Sequence, residues 1–263
     1  MRTLHEDQGP WRLSVGGTTR HLVLRAPTPR IDADLIATNA AALEIAERHQ
    51  VPAPRLVARD LLGGAAGVPA TLETVVAGST TWPPALSAVR RRAAGAALAR
   101  VHAIPLEPSR HLPLRTRPIA VDDFARDRRE GRMETSPLLR RADEVIRGMA
   151  PPGGETVFVH GDVWPGNIAW ADGRCTLIDW KTAGVGDPGV DLGELRKQIA
   201  ITYGPKATKG IVTGWEEAAG ASATNIAYWD AVAAVNTPTV LYSPLATVRR
   251  DGFLQAALER LRA

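Results

Sequence analysis

Three oxygen-bearing side chains in the middle of the chain, Asp162, Asn167 and Asp179, could do chemistry together. Val157-Phe158-Val159 is an apolar run too short for a helix and reads as a strand that ends in His160-Gly161-Asp162. Ile168-Ala169-Trp170, the turn Ala171-Asp172-Gly173-Arg174 and Cys175-Thr176-Leu177-Ile178 read as a hairpin whose return strand ends in Asp179. All three polar groups therefore lie at strand ends or in loops, where side chains converge on ligands. A carboxylate and a carboxamide oxygen are hard ligands that suit Mg²⁺, but two are too few to cage it, so water and substrate phosphates must complete the shell. The remaining carboxylate, Asp162, can accept a proton or orient a hydroxyl, which is typically worth ~10²–10⁴-fold in rate. One base beside one partly protein-ligated metal is the equipment of phosphoryl transfer from a nucleotide.

The run His160-Gly161-Asp162-Val163-Trp164-Pro165-Gly166-Asn167, then Ile178-Asp179-Trp180, then Gly186-Asp187-Pro188-Gly189-Val190-Asp191-Leu192, resembles the aminoglycoside phosphotransferase family, small-molecule kinases with a protein-kinase-like fold. The Asp-x₄-Asn spacing also matches the catalytic loop of protein kinases. The resemblance implies that Asp162 is the catalytic base or hydroxyl-orienting group and that Asn167 and Asp179 hold Mg²⁺. It makes His160 structural and Asp191 a brace for the backbone of the catalytic loop. Trp164 stands where many relatives have His. Asp187, before Pro188 and a helix, reads as an N-cap with proline at the first helical position.

The nucleotide side departs from the usual pattern. Kinases pair the nucleotide phosphates with a strand lysine, yet the first lysine of this chain is Lys181. Arg25 ends the matching strand in a Val23-Leu24-Arg25 setting, and arginine can grip phosphate bidentately. The customary glutamate on the following helix is replaced by Asn39, and Glu44 is out of helical phase with it. Gly16-Gly17 fits a hairpin turn better than a phosphate loop, which would then lie within Met1–Pro10, where Gly9 is the available glycine. Backbone around Glu73–Val76, with Glu73 and Val75 as the contact positions, is expected to meet adenine.

The elements that must position these groups fall into two parts. Residues 11–25 read as a hairpin, 32–49 as a helix, and Arg55–Leu61 and Val68–Val76 as two strands. Beyond Gly78 the chain turns helical, with an Ala-rich helix at 85–103, a Pro- and Arg-rich loop at 105–120, one or two charged helices at 122–149, and helices at 189–203, 209–220, 224–235 and 245–262. The expectation is an α+β, protein-kinase-like, two-lobed fold. Its N-terminal nucleotide-binding lobe, 1–76, is a small antiparallel sheet with one helix, and its catalytic and substrate-binding lobe, 77–263, is mainly helical.

The chain has 263 residues and one cysteine, Cys175, so an intramolecular disulfide and a multi-cysteine zinc site are excluded. A hydrophobic fraction of 44% with 23% charged residues excludes disorder as the main state. No apolar stretch reads as a membrane span or a secretory signal, and the single thiol points to the cytoplasm. The net charge of +4 is carried by arginines scattered among acids, without a basic, aromatic-interleaved block, so no nucleic-acid partner is expected. The expected partners are ATP and a hydroxyl-bearing small molecule. Acids of the helical tail (Glu194, Glu216, Glu217, Asp230, Asp251, Glu259) are matched by Arg196, Lys197, Lys206, Lys209, Arg249, Arg250, Arg260 and Arg262, so that region is not an acidic receptor for a polycation. The tryptophans read mostly as packing residues, with Trp215 or Trp229 the ones that could line the acceptor pocket. One alternative stays open, a nucleotide- or ligand-binding pseudokinase, suggested by the reduced small lobe and the missing helix carboxylate; a metal-dependent hydrolase built on His160-Gly161-Asp162 would need further clustered His or Asp ligands. The other histidines, His5, His21, His49, His102 and His111, show no metal-ligand spacing.

Overall fold

The computed structural model describes residues 2–3, 9–14 and 21–262. The Gly16-Gly17 turn and most of the Met1–Pro10 segment lie outside the described residues. The sheet-forming part comprises β1 (Arg2–Thr3), β2 (Trp11–Ser14), β3 (His21–Arg25), α1 (Ala33–Arg48), β4 (Leu56–Asp60) and β5 (Ala70–Thr74). These strands form one antiparallel sheet in the order β1-β2-β3-β5-β4. Asp32 starts α1 by accepting a hydrogen bond from the Leu35 amide at 2.9 Å, and the helix stops before Val51-Pro52. Its inner face, Ile36, Ala40, Leu43 and Ala46, is fully buried.

The rest is mainly helical: α2 (Ala88–His102), β6 (Leu114–Arg115), α3 (Phe124–Arg129), α4 (Pro137–Arg147), β7 (Val157–Val159), β8 (Ile168–Ala171), β9 (Arg174–Leu177), β10 (Gly184–Gly186), α5 (Gly189–Tyr203), α6 (Lys209–Ala219), α7 (Ile226–Val235) and α8 (Pro244–Arg260). Serines cap α2, α4 and α8, the last two with proline in the first turn. β7 pairs antiparallel with β10, which pairs parallel with β6, and β8–β9 is the expected hairpin. One continuous apolar core joins α1 (Leu43, Ala46) to Leu98, Phe158, Trp180 and Leu195, with the Phe158 and Trp180 rings stacked at 5.3 Å. This core fixes the ends of β7 and β9, and so the loops that leave them. Among the described residues no helix is long and apolar enough to cross a membrane.

The connection between β5 and α2 is pinned onto the β8 strand. Ser79 and Trp170 exchange two backbone hydrogen bonds, at 3.0 and 2.9 Å. Gly78 adopts φ +103°, and a Cβ there would lie 2.2 Å from the Trp170 carbonyl oxygen. Both the left-handed backbone and the close approach require glycine. Gly78→Ala is therefore expected to lower stability by about 2–4 kcal/mol, read as a shift in the urea midpoint at unchanged m-value.

Candidate active site

β7 delivers the chain into His160-Gly161-Asp162, and a buried carboxylate holds that turn. Asp191, in the first turn of α5, accepts the His160 amide on Oδ2 and the Gly161 amide on Oδ1, each at 2.7 Å. His102 at the end of α2 stands 3.1 Å from Asp191 Oδ2 through Nε2, while its Nδ1 accepts from Trp215 Nε1 at 2.9 Å. Trp215 can only donate, so the His102 proton sits on Nε2 and points at Asp191. Burial would raise the Asp191 pKa, but His102 and the loop amides bring it below the ordinary value. Gly161 has φ +81° and leaves no room for a side chain against the Thr182 carbonyl, 2.2 Å from a Cβ.

His160 is a connector. Its Nε2 lies 2.9 Å from the Ile178 carbonyl and its Nδ1 accepts from the Asp162 amide at 3.3 Å. One ring nitrogen donates and the other accepts, which is the neutral tautomer, and burial lowers its pKa accordingly. The ring thus ties the His160–Asp162 turn to the segment that leaves β9 toward Asp179.

Asp162 and Asn167 meet directly. Asn167 Nδ2 donates to the Asp162 carbonyl at 2.9 Å and to Asp162 Oδ2 at 3.2 Å. Burial pushes the Asp162 pKa up to about 7, with Lys181 opposing the rise. Asp179 takes φ +64°, an uncommon left-handed conformation for a residue with a side chain. Its Oδ1 accepts from Arg25 NH1 at 2.8 Å, and its Oδ2 pairs with Lys181 Nζ. Burial alone would raise its pKa, but Arg25 and Lys181 hold it well below the usual carboxylate range. Arg25 in turn reaches Glu73 Oε1 through Nε at 2.5 Å. Those two carboxylates hold its pKa above the ordinary value despite burial.

All six residues expected from the sequence, Arg25, Glu73, Val75, Asp162, Asn167 and Asp179, line one cavity of about 950 Å³. Gly9 and Pro10 line it as well. That volume is at the upper end of small-molecule sites. Glu73 departs from its expected role: it sits inside the sheet, paired with both Val23 and Leu56, and what faces the cavity cluster is its side chain. Lys181 was not singled out as a site residue; its standing as the first lysine, two positions after Asp179, was the available signal.

Trp215 and Trp229 are packing residues, buried against His102 and Gly189, and do not line the cavity, whereas Trp164 does, 40% exposed with its ring over Gly166. Several charges of the helical tail are internal: Arg196 forks onto Asp230, Lys197 pairs with Glu194, and Arg250 donates to the Thr237 hydroxyl and to the Pro238 and Thr239 carbonyls. None of them lines the cavity. Asp187 caps the first turn of α5 as expected, its Oδ1 accepting the Gly189 amide at 2.6 Å with Pro188 at the first helical position.

The donor set fits Mg²⁺. Asn167 turns its nitrogen to Asp162, which leaves its carbonyl oxygen for the cavity, and Asp179 offers two carboxylate oxygens with further lone pairs beside their cation contacts.

The model of the phosphotransferase enzyme family matches residues 2–234. Macrolide 2'-phosphotransferase MphH from Brachybacterium faecium superimposes with a TM-score of 0.60 at 20% identity, over 91% of this chain and 84% of that one. An aminoglycoside-3'-phosphotransferase of type VIII gives 0.56 at 20% identity, over 94% and 87%. Amicoumacin kinase hAmiN, solved with AMP-PNP, Ca²⁺ and Ami, gives 0.59 at 10% identity, over 92% and 82%. At these identities the structural likenesses establish the fold, which is the protein-kinase-like one anticipated from the motifs. No curated protein sequence matches the chain. With a family match that runs over most of its length, the chain belongs to the phosphotransferase enzyme family.

Proposed function

We propose that the protein transfers the γ-phosphoryl group of ATP to a hydroxyl of a small molecule. The observation that carries this reading is the meeting of Asp162, Asn167, Asp179 and Arg25 on one cavity, from positions up to 154 residues apart. Asp162 Oδ2 is held by Asn167, so Oδ1 is the oxygen that accepts the proton of the acceptor hydroxyl. The acceptor oxygen bonds to the γ-phosphorus, the bond to the β–γ bridging oxygen breaks, and ADP leaves. Asn167 and Asp179 would hold Mg²⁺, which neutralises charge on the transferring phosphoryl group. Arg25 and Lys181 present cations to the phosphates, and the chain leaving β5 at Val75 offers backbone to adenine. The acceptor is a hydroxyl compound bounded by Trp164, Ile119 and Val121.

A binding-only reading is not favoured. Of the two features that suggest it, the reduced small lobe and the missing helix carboxylate, the second is made good by Glu73, which stands beside Arg25.

The test is product formation from Mg-ATP with a panel of hydroxylated antibiotics and metabolites, preceded by thermal-shift titration with nucleotide. At 100 Kd of Mg-AMP-PNP the stabilisation should reach about 2.7 kcal/mol, seen as a Tm rise of roughly 5–10 °C, and should depend on Mg²⁺. A Tm that no nucleotide moves, with or without Mg²⁺, would overturn the assignment.

A further inference from the structure

In protein kinases the cation that grips the nucleotide phosphates is paired with a glutamate carried by the helix after its strand. Here that helix, α1, presents Asn39, and Glu44 is turned outward to Arg59 at 2.6 Å, with both side chains well exposed. The carboxylate comes from somewhere else. Val23 of β3 lies opposite Glu73 of β5, and Arg25 lies opposite Thr71. Residues directly opposite share a face, and so do residues two apart on one strand. Arg25 and Glu73 are therefore diagonal neighbours on one face of the sheet, within reach of a long side chain. The side chains are 7% and 2% exposed, and the contact is 2.5 Å. Asn39 Nδ2 approaches the other Glu73 oxygen at 3.4 Å. The helix residue thus touches the carboxylate rather than the cation.

We infer that Glu73 is the positioning residue for Arg25, so that the phosphate grip is braced from the sheet by Glu73 and not from helix α1. This inference rests on the phosphotransferase reading. Arg25 spans two carboxylates, Glu73 through Nε and Asp179 through NH1. Glu73 holds the guanidinium at a fixed place and shares its charge. Without Glu73 the whole cation falls on Asp179, the group that must also face the metal. A brace inside one sheet also has a mechanical consequence. Its geometry follows from the β3–β5 register and does not depend on where α1 sits, so the grip is assembled whenever the sheet is folded.

The experiment compares parent, Glu73→Gln, Glu73→Asp and Asn39→Ala by calorimetric titration with Mg-AMP-PNP and by steady-state kinetics. Glu73→Gln is expected to raise the Kd and the ATP KM at least tenfold and to leave the acceptor KM within twofold. A merely structural defect would lower kcat through the active fraction and leave every KM in place. Glu73→Asp should fall between parent and Glu73→Gln. If Glu73→Gln is too unstable to titrate, Glu73→Asp decides alone: a threefold or larger rise in Kd supports the brace, and a smaller one overturns it. Parental Kd in both Glu73 variants overturns it, as does an Asn39→Ala effect as large as that of Glu73→Gln. A parent that binds no nucleotide fails the phosphotransferase reading itself, an outcome separate from a parent that binds while the Glu73 variants bind equally well.

Discussion

Asp162→Asn is expected to reduce phosphoryl transfer by about 10²–10⁴-fold and, in the same molecule, to raise the melting temperature at neutral and alkaline pH. The first effect follows from removing the oxygen that takes the hydroxyl proton. The second follows from the cost of keeping a carboxylate ionised in the cleft. Burial raises the folded-state pKa of Asp162 to about 7, above its unfolded value. Between the two values the folded protein holds a proton that the unfolded chain has released, so this residue makes stability fall as pH rises through that window. Above about pH 7 the penalty is fully present, and near pH 4 it vanishes. Asparagine carries no such penalty. Because the carboxylate borders an open cleft, the gain should be about 1–3 kcal/mol, or roughly 2–12 °C. Differential scanning of parent and variant at several values between pH 4.5 and 8.5, without added divalent metal, reads it directly. The difference must grow with pH; a constant difference, or a variant less stable at pH 8, rules out the burial argument. The parent's kcat/KM should rise with pH over the range in which Asp162 ionises, and retained activity in the variant on a genuine substrate rules out the base assignment.

The meeting of Asp162, Asn167 and Asp179 was legible because these residues are close in sequence and lie near strand ends. Asp162, Asn167 and Asp179 are placed by one short strand and one hairpin, and those elements can be read from apolar runs and turn residues alone. Asp191 followed from its place in the same block, and the structure puts it on the His160 and Gly161 amides. The nucleotide half was less legible because it depends on register. Whether Glu73 faces Arg25 is decided by which β5 residue lies opposite Val23, and a slip of one position would turn it to the other face. Burial of the α5 charges was not legible either. Glu194, Arg196 and Lys197 look like a solvated helix face, yet α5 is the central helix and is buried nearly all round. Its charges persist inside because each is paired within hydrogen-bond distance.

Asp191→Ala is expected to be among the most destabilising single changes in the molecule, at about 3–5 kcal/mol, or a Tm loss of roughly 6–20 °C. The carboxylate satisfies two buried backbone amides and the His102 Nε2 proton, all within 3.1 Å. Alanine leaves those donors without an acceptor, and an orphaned buried donor costs about 1–3 kcal/mol. Asp191→Asn keeps one acceptor oxygen and should lose roughly half as much. The pH dependence has the opposite sign to that of Asp162. The folded-state pKa of Asp191 is lowered, so its contribution is present above its unfolded value and is lost as pH falls through the folded one. The deficit of Asp191→Ala should therefore hold from neutral pH to about pH 4 and narrow only in stronger acid. Activity should fall further than stability alone explains. The His160-Gly161 turn sets the direction in which Asp162 leaves β7, and a displacement of about 1 Å at a reacting group costs on the order of 10²-fold. Urea titrations at pH 7.5 and 4.5 with kinetics on the folded fraction separate the two effects. Full specific activity in the folded fraction would mean that the turn holds its shape without the carboxylate, and the brace would then be one of stability only.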